Sequence, residues 1–180
     1  MGENGSSPTS LVESKNTVIS EKLSAESISL VNGFYKSMGV FNLTFPSQFD
    51  TKDSFSELTR GCLKVQHIHR GKISCIISVK PPITNAYGSL HGGAVGALAE
   101  RVAIACARTV VGKDKELLLG ELSLSYLSGA PRNAEVLVNA SIIRSGRNLT
   151  VVALEFRLRD SEKLIYISRA TFYHMPVASL

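Results

Sequence analysis

Between Asn85 and Glu100 the chain reads NAYGSLHGGAVGALAE. A histidine and two glycines open an almost wholly apolar run, and a carboxylate interrupts it. Followed from Gly92 to Val111, the run sets Val95, Leu98, Val102, Ile104 and Cys106 among six alanines. Apolar groups on almost every side of a 3.6-residue period mark a core helix rather than a surface one. The spacing predicts a helix from Gly92 to about Val111, stopped by Gly112. Glu100, Arg101 and Arg108 break the run short of the ~20 apolar residues that a bilayer span needs, so a soluble protein without integral membrane association is expected.

On either side of this helix the period changes to two. Upstream, CLKVQHIHR and ISCIISVK flank Arg70-Gly71-Lys72 and read as a β-hairpin that ends at Pro81-Pro82. Downstream, strands are expected at about Leu117–Ser128, Glu135–Arg144, Leu149–Arg159 and Lys163–His174, with turn residues between them. Val136, Val138, Ala140 and Ile142 should share one face. Before the hairpin, Glu21 to about Met38 has the pattern of an amphipathic helix that lids the core, and the stretch from there to Leu58 carries no clear period. One antiparallel sheet with one long helix against its concave face accounts for this order, an α+β architecture. Such a sheet leaves edge strands, and a long exposed edge pairs with another chain, so an oligomer is expected.

With 180 residues and 44% hydrophobic composition, the chain has the material for one core. Residues 21–180 are read as a single domain behind a polar, Ser-rich segment 1–20 that is expected to be disordered. That segment has no secretory apolar core and no Arg, Gly2 and Ser6 fit only a short myristoylation pattern, and the terminal Ala178-Ser179-Leu180 is a weak match to a peroxisomal signal. Cys62, Cys75 and Cys106 lack metal or disulfide spacing, which fits a reducing, cytoplasmic setting with peroxisome or another organelle as the alternative. A net charge of +5 favours anionic partners, but the basic residues are scattered and no nucleic-acid motif accompanies them, so nucleic acid is not expected as a partner.

A helix start presents unpaired N–H groups and partial positive charge, and glycines there let a substrate approach the backbone. Gly92 and Gly93 can therefore form an oxyanion site for an ester or thioester carbonyl. Asn85 and His91 can position water or orient the loop, and Glu100 can act as nucleophile or general base. Glu100 lies eight residues beyond Gly92, about 12 Å along a helix, too far to share one carbonyl carbon. Either the acid is unrelated to the glycines or it comes from another subunit to a site at a dimer interface.

HGGAVGALAE, with Asn85 before it and ELSLSYLSGAP and a Ser-Gly-Arg turn after it, resembles the hotdog-fold acyl-CoA thioesterases of the PaaI and thioesterase 13 type over about Cys62–His174. The resemblance implies a long helix wrapped by a curved antiparallel sheet, assembled as a homodimer or dimer-of-dimers homotetramer. It implies that the Gly92 N–H polarises an acyl-CoA carbonyl, that Asn85 and His91 line the same end of the site, and that Glu100 comes from the neighbouring subunit. Gly93, Ser145, Arg147 and Asn148 become candidates for substrate and coenzyme A binding, with Arg132 behind them; coenzyme A enters as part of the substrate, with no separate cofactor and no metal. Thioesterase 13 has Asp at the Glu100 position and an assisting serine at that of Leu119, whereas aroyl-CoA branches use Glu. A non-catalytic acyl- or CoA-binding module and a hydratase or dehydratase are the alternatives on this fold.

Other residues have structural readings. Arg101 is expected to pair with Glu100 or Glu121, His67 and His69 to form a solvated face without a third metal ligand, Cys106 to be a buried thiol, and Tyr126 and Tyr173 to pack.

Overall fold

A computed structural model describes residues 23–37 and 47–177. The expectations for residues 1–20 and for the last three residues lie outside them. The chain divides into residues 1–51 and 52–180. In the first unit, α1 spans Ala25–Ser37, inside the predicted range, with the Ser27 N–H donating to the Ser24 hydroxyl at 3.2 Å as a cap. None of its residues is buried. A 3-10 turn follows at Ser47–Phe49.

The second unit opens with α2, Ser54–Arg60, a helix too short for its period to be read. The hairpin forms as β1, Leu63–His69, and β2, Lys72–Ser78, around Gly71, whose φ of 75° is left-handed and suits glycine. Then come α3, Gly92–Arg108, and β3, Lys115–Tyr126, followed by β4, Glu135–Ser145, β5, Leu149–Leu158, and β6, Leu164–Pro176. All strand pairs are antiparallel, in the order β1-β2-β4-β5-β6-β3. The connection through α3 therefore carries the chain across three strands to the far edge, where β3 pairs only with β6.

The core lies between α3 and one face of the sheet. Val95, Leu98, Ala99 and Val102 of α3 are buried with Ile77, Val138, Leu154, Phe156 and Phe172. Each large side chain among these contributes about 1.5–3 kcal/mol by leaving water. The small residues Ala94, Ala99, Ala103 and Ala107 let the strands close on the helix. Val136, Val138 and Ala140 share the inward face as expected; Ile142 is only partly buried, where a register shift before Arg144 bends β4 away.

The helix stops three residues early, and Gly112 is not its terminator. Thr109 is the C-cap, its hydroxyl donating to the Cys106 carbonyl at 2.6 Å and accepting from the Gly71 N–H at 2.8 Å. That tie from the β1–β2 turn, 38 positions away in sequence, ends the helix where local propensity did not. No helix among the described residues is long and apolar enough to cross a membrane.

Candidate active site

The start of α3 opens into a cleft of about 610 Å³. His91 is the N-cap, and its Nδ1 accepts the Gly93 N–H at 3.0 Å. A lone pair must sit on Nδ1, so the neutral ring carries its proton on Nε2. A Cβ on Gly93 would come 3.3 Å from that Nδ1, which explains the second glycine. With the Gly93 N–H taken, the Gly92 and Ala94 N–H groups are left without a partner at the helix start among the described residues, and of these two residues Gly92 lines the cleft.

Asn85 lines the cleft but is committed to its own loop. Its Oδ1 accepts the N–H groups of Tyr87 and Ser89 at 3.0 and 3.1 Å, and its Nδ2 donates to the Ser89 hydroxyl at 3.0 Å. This Asx turn fixes the rim over Gly88, whose φ is 72°. Asn85 and His91 thus set loop and helix start, the orienting part of what the sequence offered for them.

The opposite wall was not legible as a site. The Tyr126 hydroxyl at the end of β3 donates to the Gly92 carbonyl at 3.0 Å, and its ring lies against the Gly92 α-carbon. Tyr126 meets Tyr166 edge-on at 5.6 Å, and Tyr166 meets Phe156 in the same way at 5.8 Å, linking the cleft to the core. The Tyr166 hydroxyl accepts the Ala130 N–H at 3.1 Å and so anchors the Ser128–Gly129 segment of the wall. Burial raises the Tyr166 phenol above its ordinary value of 10.0, which keeps it protonated. Tyr126 and Tyr173 pack as expected, Tyr173 over Gly120 on the other face of the sheet, but both stay about half exposed, and Tyr126 also lines the cleft. Only the pairing of β3 with β6 brings Tyr126 and Tyr166 opposite one another. Nothing in the local sequence distinguishes a cleft tyrosine from a packed one.

Glu100 lies elsewhere. It shares the outer side of α3 with Gly93, Ala97 and Ile104, away from the buried stripe, and is half-buried. Among the described residues its carboxylate has no hydrogen bond or ion pair, so the expected pairing with Arg101 is absent, as is that of Arg101 with Glu121. Arg108 turns instead to the carbonyls of Gly112 and Lys115. Cys106 is fully buried, and burial pushes its thiol up to about 11, as suits an inert core residue.

Ser145, Arg147 and Asn148 stand at the other end of the sheet from the cleft. The Ser145 and Thr150 hydroxyls are hydrogen-bonded at 2.9 Å, and the Arg147 carbonyl accepts from Lys115 Nζ at 2.9 Å. The Asn148 carbonyl accepts the His174 N–H at 2.9 Å. Lys115 and Tyr126 bound β3, so the turn and the cleft are separated by the length of that strand, about 35 Å. Leu119, facing the core from mid-strand, supplies no hydroxyl. His67 and His69 lie on β1, and no group of three metal-ligating side chains gathers among the described residues.

The fold, a central helix against an antiparallel sheet, is what the chain shares with proteins already known. Residues 87–165, which include α3 and strands β3, β4 and β5, match the family described as the thioesterase superfamily. The chain has the hotdog fold of known thioesterases. It is similar to acyl-coenzyme A thioesterase 13 of Homo sapiens, 25% identical over 104 residues that cover 56% of this chain and 71% of that protein. Among solved structures, zebra fish thioesterase superfamily member 2 superposes with a TM-score of 0.63 at 20% identity, covering 71% of this chain and 90% of its own. The phenylacetic acid degradation protein PaaI of Thermus thermophilus superposes with a TM-score of 0.59 at 19% identity, covering 66% and 99%. These similarities support thioester hydrolysis in general as the class of reaction.

Proposed function

We propose that the protein hydrolyses an acyl-CoA thioester to a carboxylic acid and coenzyme A, at a cleft that a second copy completes. The observation that carries this reading is the unpartnered Gly92 N–H at the head of a 17-residue helix, facing an open cleft. There the thioester oxygen accepts the N–H, and the bond strengthens as negative charge collects on that oxygen in the tetrahedral intermediate. His91 and Tyr126 hold the two sides of the Gly92 residue in place, one through the cap and one through its carbonyl.

A base is needed, and the chain's own Glu100 is about 12 Å along the helix. The long unpaired edge of β3 supports a second copy as its source. If two β3 strands pair antiparallel, the Lys115 end of one lies beside the Tyr126 end of the other. The partner subunit's Arg147 turn then approaches the cleft, where its guanidinium suits a CoA phosphate. The partner subunit's Glu100 takes a proton from water as the water oxygen bonds to the carbonyl carbon. Collapse of the intermediate breaks the carbon–sulfur bond, and the proton passes to the departing thiolate. In the covalent variant Glu100 attacks first, and water opens the resulting anhydride. No separate cofactor enters either scheme.

Complementation tests both the chemistry and the shared site. Gly92→Pro removes the N–H yet keeps a residue that the first helical position accepts. Thiol release from acyl- and aroyl-CoA thioesters should fall about 10²–10³-fold in Gly92→Pro, and more in Glu100→Gln. Co-assembled Gly92→Pro and Glu100→Gln chains should regain activity, because a mixed dimer has one intact site. Absence of hydrolysis by the wild type on every thioester overturns the reading, and failure of the mixed dimer overturns the shared site.

A further inference from the structure

On the face of the sheet turned away from α3 lies a second concavity, of about 490 Å³, across β1, β2, β4 and β5. Its construction is specific. The register of β1 against β2 shifts between Val65 and His67, with Gln66 as the extra residue, and such a bulge bends the strand and re-aims the side chains beyond it. His67 and His69 consequently stand side by side as one wall, their rings 6.5 Å apart and 18° from parallel. Across the floor, His67 registers with Ser74, Ser74 with Asn139 and Asn139 with Glu155, while His69 registers with Lys72.

The hydrogen-bonding capacity of this groove is unspent on one side. The Ser74 hydroxyl is sealed under the floor without a partner and so lies out of a ligand's reach. Neither imidazole, nor the Lys72 ammonium, nor the Asn139 amide has a hydrogen bond among the described residues. Glu155, on the far wall, is offset by Arg157, whose Nη2 and Nε donate to its Oε2 at 2.9 and 3.2 Å. Its other oxygen stays free to accept. The groove therefore offers donors and positive charge near β1 and β2 and one acceptor across from them. Two imidazoles without a third ligand do not make a metal site, whereas several convergent donors suit a tetrahedral oxyanion. The volume exceeds that of a bare phosphate and falls in the range of small-ligand pockets.

We propose that this groove binds a small phosphate monoester, with the phosphate between His67, His69 and Lys72 and a hydroxyl of the esterified group donating to Glu155. The site is separate from the cleft at Gly92 and stands whether or not that cleft hydrolyses thioesters.

Histidine resonances test this directly, since the chain has only four histidines. Inorganic phosphate, ribose 5-phosphate and ribose are titrated into the full-length protein while the imidazole carbon-bound protons are followed. The ring signals of His67 and His69 should shift saturably with both phosphates, those of His91 and His174 should stay, and ribose should do nothing. Ribose 5-phosphate should bind at least about threefold more tightly than inorganic phosphate, and Glu155→Gln should remove that advantage alone. Lys72→Gln and His69→Gln should each weaken both phosphates about five- to tenfold. The proposal is overturned if neither phosphate saturates below about 10 mM, if all four histidines shift together, if ribose acts like its phosphate, or if both variants bind as the wild type does. Equal affinity for the two phosphates overturns the ester part.

Discussion

On one side of α3, Val95, Leu98, Ala99 and Val102 are at most 1% exposed and face the sheet; on the other, Gly93, Ala97, Glu100 and Ile104 keep part of their surface open. The inner side is finished by this chain's own strands, and burial there holds the fold together. The outer side carries a carboxylate with no internal partner, which does little for folding. The proposed reaction thus divides stability and chemistry between two faces of one helix, and substitutions should separate them.

The largest effect should come from the outer side. Glu100→Gln should slow thiol release about 10²–10⁴-fold while leaving the urea midpoint unchanged or slightly raised. A loss of more than about 2 kcal/mol of stability would instead make this face a folding surface and break the comparison. Next comes Leu98→Ala, which should cost about 3–5 kcal/mol in urea unfolding, because the packed sheet cannot collapse onto the cavity. Its activity, measured where the protein is still folded, should change far less than that of Glu100→Gln.

Tyr126→Phe should be milder, since it keeps the ring and removes one hydrogen bond to Gly92. A loss of about 1 kcal/mol is expected in kcat, roughly fivefold, with KM little altered. Parallel changes in kcat and unfolding midpoint would reduce Tyr126 to a packing residue.

The smallest effect is the pH response of the inner face. Burial raises the Cys106 thiol from 9.0 to about 11, so between those values the folded chain keeps a proton that the unfolded chain has released. The unfolded state then binds fewer protons, and stability falls as pH rises through that window. The contribution is fully present below pH 9. Cys106→Ala should flatten this part of the stability–pH curve, and an unchanged slope would show that the thiol does not couple to folding.

Much of the fold was readable because its signals are local. Period two identified the hairpin and four later strands, and the apolar surround of Gly92–Arg108 identified the core helix. α2 escaped because seven residues carry less than two turns of pattern. Gly112 misled because the terminating contact comes from Gly71, through Thr109. At the site, the chemistry of a glycine-opened helix start was legible at Gly92 and Gly93. Tyr126 was not, since its partners Gly92 and Tyr166 lie 34 and 40 positions away in sequence.

The sequence by itself determined the alternation of the strands, the buried helix and the placement of a glycine-opened start and an acid on it, because these follow from side-chain period and backbone chemistry within a few turns. Only the tertiary structure decided which groups meet. By sending β3 to the far edge of the sheet, it put Tyr126 over Gly92, parted the Arg147 turn from the cleft by a strand's length and left Glu100 facing outward. Strand order and edge exposure are set by long-range pairing, which no local pattern of residues encodes.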